Sequence, residues 1–250
     1  MKEGFVMTFE EWLKTATKRN GSLLAPATVK HYLDGLKVIS REMFDSNVIS
    51  KKLEDMNIQE LDLAISLIML DPSFVAKDKK GNKMYSNSLK RFRCYKFYNT
   101  DLGIQEAAAE ALVKQDTSLS ETEKEIIVKA RRGQGKFRDE LIQKYDHKCI
   151  MTEISINQVL IASHIKPWSV CNNDERIDVN NGFLLSATYD RLFDSGLITF
   201  DINGKIKISS MISKDNANKL SLYYGKKYNI KYNPQMYKYI QYHNEVIFVN

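Results

Sequence analysis

The sequence predicts an α+β protein, with a helical amino-terminal half followed by a unit of short strands around one compact helix. Three observations carry that prediction. Apolar residues recur at helical intervals through the first half, the short runs QVLIASHI and GFLLS in the second read as strands, and a polar stretch without apolar period separates the halves.

The elements follow in order. TFEEWLKTATKRN offers Thr8 as a cap with Glu11 three residues on and sets Phe9, Trp12, Leu13 and Ala16 on one face, which predicts a helix over 8–19. Asn20-Gly21 breaks it. Pro26 opens a second helix over 26–44, with Val29, Tyr32, Leu33, Leu36, Val38, Ile39 and Met43 at helical spacing. A third covers 58–70 and stops at Asp71-Pro72; a fourth begins near Ser86 and carries SLKRFRCYKFYN. Between them the charged run VAKDKKGNKMY reads as a loop. Lys90, Arg91, Arg93 and Lys96 form a basic run on the fourth helix, either phosphate-facing or a solvated face. Four helices in this order resemble the small core-binding domain of tyrosine recombinases and phage integrases, which implies DNA binding; a bundle that only supports or dimerises fits the same pattern.

KQDTSLSETEKE marks a boundary at 114–124, dividing the chain into a helical domain over 1–115 and a second domain over 125–250. Ser118 or Ser120 caps the helix that runs on to Ala130. RRGQGKFRDELIQKYDHK continues as an amphipathic helix with Phe137, Leu141, Ile142 and Tyr145 on its apolar face. QVLIASHI reads as a strand that ends at His164, KPWSVCNNDERIDVNN as an irregular loop, GFLLS as a second strand, and ATYDRLFD as a helix stopped by Gly196. LITFDINGKIKIS alternates around Asn203-Gly204, a hairpin signal, and MYKYIQYHNEVIFVN suggests a helix and a final strand.

Composition narrows the function classes. No apolar stretch approaches the roughly 20 residues that span a bilayer, and the longest, LAISLIML at 63–70, reads as a buried helix. MKEGFVMTFEEWLK is not a secretory signal, so a cytoplasmic location and no membrane partner are expected. Cys94, Cys149 and Cys171 are odd in number and lack a CxxC pair, which argues against a disulfide framework and a cysteine zinc site. The net charge of +6 lies wholly in residues 128–250, with 18 Lys and Arg against 12 Asp and Glu; residues 1–127 hold 19 of each. A basic region beside a neutral one points to a polyanion, nucleic acid first.

The run RRGQGKFR, then YDHKCIMTE, LIASHIKPW, NNGFLLSATYDRLFDSGLITFD and YIQYHNEVIF, resembles the HNH endonucleases of the kind found in bacterial restriction enzymes, over residues 130–250. The resemblance implies a ββα-metal nuclease core with His164, Asn181 and Asp190 at the three motif positions.

Those residue types suit phosphodiester hydrolysis. Imidazole, with an unperturbed pKa of about 6.5, can take a proton from water, which is the role expected of His164. A hard divalent ion, Mg²⁺ first and Mn²⁺ second, prefers carboxylate oxygen, so Asp190 is the expected ligand and Asp194, one turn on, a further one. Asp194 otherwise bonds the backbone of the Gly196 turn. Asn181 is expected to hold the loop that carries His164, and Lys136, Lys166 and Arg191 to contact phosphate. Many members of the family carry aspartate before the base; this chain has Ser163. The expectation is a type II restriction endonuclease acting on double-stranded DNA as a homodimer. The alternative is an inactive, DNA-binding protein on the same scaffold.

Overall fold

Capping chemistry decides where the amino-terminal helices begin. The structure, a computed structural model, describes residues 7–99, 110–111, 113–131 and 135–250. Helix α1 (Phe9–Thr15) opens on a capping box, in which the Glu11 amide donates to Thr8 Oγ1 and the Thr8 amide donates to Glu11 at 2.7 Å. It ends at Thr15 rather than near residue 19, because the Asn20-Gly21 turn folds the chain back and bridges Thr17 to Leu23.

Helix α2 (Pro26–Asp45) buries Val29, Leu36, Ile39 and Met43. Helix α3 (Ile58–Leu70) starts on a second capping box, Asn57 with Glu60. The pair Asp71-Pro72 then both closes α3 and opens α4 (Pro72–Lys80), since Asp71 Oδ1 accepts from the Phe74 amide at 2.9 Å and Pro72 takes the first helical position. The expected loop VAKDKKGNKMY is therefore helical through Lys80. Burial explains the difference: Phe74 and Asp78 are both interior, and Asp78 accepts from the Ser86 amide at 2.9 Å.

Helix α5 (Met84–Asn99) packs along α2. Its basic run is neither a solvated face nor phosphate-facing. Arg91 and Arg93 are each 3% exposed, Lys96 donates to the carbonyls of Glu54 and Met56 at 2.8 and 2.9 Å, and Lys90 reaches the Asn244 carbonyl at 3.5 Å.

Helix α6 (Glu121–Arg131) is capped by Ser120, whose Oγ accepts from Glu123 N–H; Ser118 instead donates to Asp116. Helix α7 (Gly135–Lys144) buries Phe137 and Leu141 against an antiparallel hairpin of β1 (Leu160–His164) and β2 (Gly182–Ser186), in which Leu160 faces Ser186 and His164 faces Gly182. Glycine at 182 lets α7 approach: an added Cβ would stand 2.7 Å from Leu141 Cδ1 and 2.9 Å from Phe137 Cζ. The connection between the strands is less irregular than expected. It contains α8 (Asn173–Ile177), begun by a third capping box between Asn172 and Glu175.

Helix α9 (Ala187–Asp194) follows β2 directly and packs against both strands. β3 (Ile198–Phe200) and β4 (Ile206–Ile208) form the hairpin expected at Asn203-Gly204. After α10 (Lys214–Lys219) and α11 (Pro234–Tyr242) comes a π-helical turn, His243–Ile247, in place of the expected final strand. Its apolar side chains find another burial site: Val246, Ile247 and Val249 enter the core of the amino-terminal helices. A second core gathers Phe183, Phe193 and Phe200 with Met236, Tyr239 and Ile240.

The architecture is α+β, mostly helical, with two two-stranded sheets among the described residues. No helix among them is long and apolar enough to cross a membrane.

Candidate functional site

The β1–β2 ladder ends at His164, where the chain leaves the sheet for the loop. Its ring is half-buried and stacks on Phe137 of α7, with centroids 4.4 Å apart and planes 11° apart. Nε2 lies 2.9 Å from the Arg176 carbonyl. A carbonyl only accepts, so Nε2 carries the proton and donates it, and the lone pair of the neutral ring belongs to Nδ1. One hydrogen bond thus selects the tautomer and, with the stack, the ring's orientation.

Asn181, 0% exposed, holds the neighbouring carbonyl. Its Nδ2 donates to Glu175 O at 3.0 Å and to Cys171 Sγ at 3.2 Å, Oδ1 accepts from the Lys166 amide at 2.8 Å, and its own carbonyl accepts from Ile165 N–H at 2.9 Å. Helix α8 is too short to satisfy the carbonyls at its carboxy end. Asn181 takes up Glu175 and His164 takes up Arg176, so both side chains are anchored on successive peptide groups of one small helix. Trp168 fastens the loop from beneath: it is 5% exposed, packs with Val113 and Ile127, and carries the Arg176 guanidinium 3.9 Å above its ring.

The remaining predicted residues fall into distinct places. Asp190 sits in the first half of α9, which lies against the hairpin whose first strand ends in His164. Asp194 is the last residue of α9, and its carbonyl accepts from Arg93 Nη1 at 2.8 Å. Arg191 turns toward α5, its guanidinium 4.1 Å over the Phe97 ring and its Nη2 donating to Phe97 O at 3.1 Å. Lys166 pairs with Glu175 at 2.6 Å. Lys136 is the most solvent-facing of the three basic residues, its side chain 82% exposed and its ion pair among the described residues a 3.5 Å contact with Glu140.

Sequence reasoning missed one interior pair that touches this region. Asp62 of α3 pairs with Arg93 of α5 at 2.5 Å, both buried, and accepts from Ser169 Oγ at 2.9 Å. Burial opposes the charge on Arg93, but Asp62 outweighs it and raises the pKa above its ordinary value. Through Ser169 the pair reaches the loop, and through the Asp194 carbonyl it reaches α9. The signal was present: an acid inside the apolar run ELDLAISLIML needs a partner. Phe137 was legible as an apolar position but not as the platform for His164, and Arg176 acts through a backbone atom that no side-chain pattern reveals.

Two of the three cysteines are inert as nucleophiles. Cys94 and Cys171 are buried thiols, pushed up by burial to about 11 and about 12, and all three cysteines are unbridged. His147 is exposed at a turn, with φ 59°.

No three His, Cys, Asp or Glu side chains among the described residues come together as a metal-binding group. A hard ion that keeps several waters and shares phosphate oxygens needs only one or two carboxylates from the protein. Ser163, the residue before His164 on β1, has a buried Oγ that makes no hydrogen bond among the described residues.

The family model for HNH endonucleases matches residues 149–201, from Cys149 through β1, the loop, β2 and α9 to Asp201. No curated protein matches the chain.

Proposed function

We propose, with that HNH endonuclease region as the premise, that the protein is a metal-dependent DNA endonuclease of the type II restriction kind, with His164 as general base. The observation that carries the reading is the fixed tautomer of His164 at a strand end, with Nε2 committed to Arg176 O and the lone pair on Nδ1.

The chemistry follows from that ring. Nδ1 takes a proton from water, and the water oxygen bonds to phosphorus as the P–O bond to the leaving sugar oxygen breaks. That oxygen takes a proton from solvent, while the ring later returns its own. The imidazolium formed keeps its Nε2–H···O=C bond to Arg176, so the ring holds its orientation through the transfer. Phe137 and Asn181 act as positioning residues, where an error of about 1 Å costs on the order of 100-fold in rate. Asp190, with Asp194 one turn on, would hold a Mg²⁺ ion, for which Mn²⁺ could substitute. When bound, the ion supplies charge neutralisation at the scissile phosphate and the departing oxygen. Lys136 would meet the phosphate backbone. Residues 125–250 carry this chemistry and residues 1–115 support it. Two strands need two sites, which a homodimer in the cytoplasm would provide.

The test is plasmid cleavage by the His164→Ala variant. Loss of a general base removes about 10²- to 10⁴-fold in rate, while duplex binding stays within about twofold of wild type, and retained cleavage rejects the assignment. Ser163 favours a second reading, a DNA-binding protein with an inactive core, because serine stands where many relatives of this fold carry a ligand. Plasmid left intact by wild-type protein in both Mg²⁺ and Mn²⁺ would establish it.

A further inference from the structure

The positive charge of this chain is concentrated outside the matched region. Residues 216–244 contain Lys219, Lys226, Lys227, Lys231 and Lys238 and no Asp, Glu or Arg, so this stretch carries +5 of the net +6. All five lysines are exposed. The same stretch holds 7 of the 13 tyrosines, and Tyr223 and Tyr224 are 54% and 43% exposed.

The fold gathers part of this stretch into one surface. Lys227 bridges Lys205 in the β3–β4 turn, Ile206 N–H donates to Lys226 O at 3.0 Å, and Tyr228 N–H donates to Gly204 O at 2.9 Å. Lys226 Nζ lies 5.8 Å from the Tyr223 ring centroid and 5.0 Å from that of Tyr228. Arg19, which follows α1, places its guanidinium 4.6 Å over Tyr224 and so adds a cation from the far end of the chain. Among the described residues Lys205, Lys226 and Lys227 make no ion pair with a carboxylate. Asp201 in the same hairpin is engaged elsewhere, accepting from the amides of Asn203 and Lys205 at 2.8 and 2.9 Å.

Uncompensated like charges on adjacent strands repel and gain from a polyanion that lies along them. A duplex presents one negative charge per about 1.7 Å and releases counterions as lysines neutralise its phosphates. Tyrosine hydroxyls beside the lysines add donors for phosphate and sugar oxygens, contacts that orient a duplex without reading its sequence. We propose that Arg19, Lys205, Lys226 and Lys227, with Tyr223 and Tyr224, form a backbone-contacting surface for duplex DNA, separate from the His164 site. The inference rests on the endonuclease reading and adds to it a part of the chain that the matched region does not include.

The test uses the full chain with a Lys226→Glu, Lys227→Glu double variant. Duplex affinity is measured in EDTA across a salt series, and melting temperature confirms folding. Neutralising about two phosphates fewer lowers the slope of log K against log salt by about 2, and reversal of both charges weakens Kd by at least about tenfold near 0.1 M salt. An unchanged Kd and slope in a folded variant overturns the proposal. Lost binding to phosphatidylserine vesicles with duplex binding intact also overturns it and assigns the surface to anionic membranes. A wild-type chain that cleaves while the double variant binds equally well defeats this inference alone; a chain that neither binds nor cleaves defeats the endonuclease reading with it.

Discussion

His164 and His243 share a residue type and differ in what their second nitrogen meets. In His243, 1% exposed, Nε2–H donates to Phe193 O at 3.1 Å, Nδ1 accepts from Thr199 Oγ1 at 2.9 Å, and the ring stacks on Phe193 at 3.9 Å. Both nitrogens are satisfied with the ring neutral, and burial lowers the pKa from 6.5 to about 3. The unfolded chain therefore binds a proton that the folded one refuses between those values, so this contribution to stability is complete above pH 6.5 and falls as pH drops toward 3. The expected loss is about 1.4 kcal/mol per pH unit. Denaturant titrations at several pH values should show this slope as the difference between wild type and His243→Gln. A second residue-scale expectation concerns Asn181. Replacement by alanine leaves the Lys166 amide and the Glu175 carbonyl without their partner, each worth about 1–3 kcal/mol when buried. Thermal denaturation should show a drop of several degrees, and, on the proposed endonuclease reading with Asn181 positioning His164 through the loop, cleavage should fall with KM for duplex little changed.

At the scale of elements, two glycines mark where packing depends on a missing side chain. Gly182→Ala sets a methyl against Leu141 and Phe137, the residue on which His164 stacks. Overpacking of this kind costs about 1–3 kcal/mol, and, on the proposed reading of His164 as base, the displaced ring should lower kcat more than the melting temperature alone explains. Gly196 sits at φ 75° after α9, and a Cβ there would collide with the Ile247 carbonyl. Gly196→Ala should be the more damaging of the two, measured as a shift in denaturation midpoint, because a backbone atom cannot move aside as a side-chain end can. The same scale shows which elements were legible. Asn203-Gly204 sits between alternating residues and forms its hairpin in place. Helices α4 and α8 escaped notice for the opposite reason: both are short, charged and weakly periodic, and a capping side chain at Asp71 or Asn172 begins each of them. The expected final strand is instead a π-helical turn, because periodicity alone cannot separate a short apolar run from a buried helical segment.

Across the whole molecule, the Asp62–Arg93 pair joins the amino-terminal helices to the loop and to α9. Removing one partner of a buried pair costs about 3–5 kcal/mol, because the other charge is left without compensation, whereas replacing both with apolar residues is often neutral. Arg93→Met should therefore destabilise strongly in chemical denaturation, and the Asp62→Leu, Arg93→Met double variant should recover much of that stability. If the pair also holds the loop against α9, cleavage by the stable double variant stays below wild type. Much about this protein was settled along the chain itself: the two regimes of periodicity, the capping boxes, the hairpin turn, and the order of His164, Asn181 and Asp190 within an HNH-like segment. These are local, since a cap or a turn involves residues only a few positions apart. What tertiary structure alone decided is the company each side chain keeps. His164 meets Phe137 and the Arg176 carbonyl, Arg191 is drawn to Phe97, and the basic face of α5 turns inward. Burial and partner choice depend on atoms far apart in sequence, and no local pattern encodes which of them will meet.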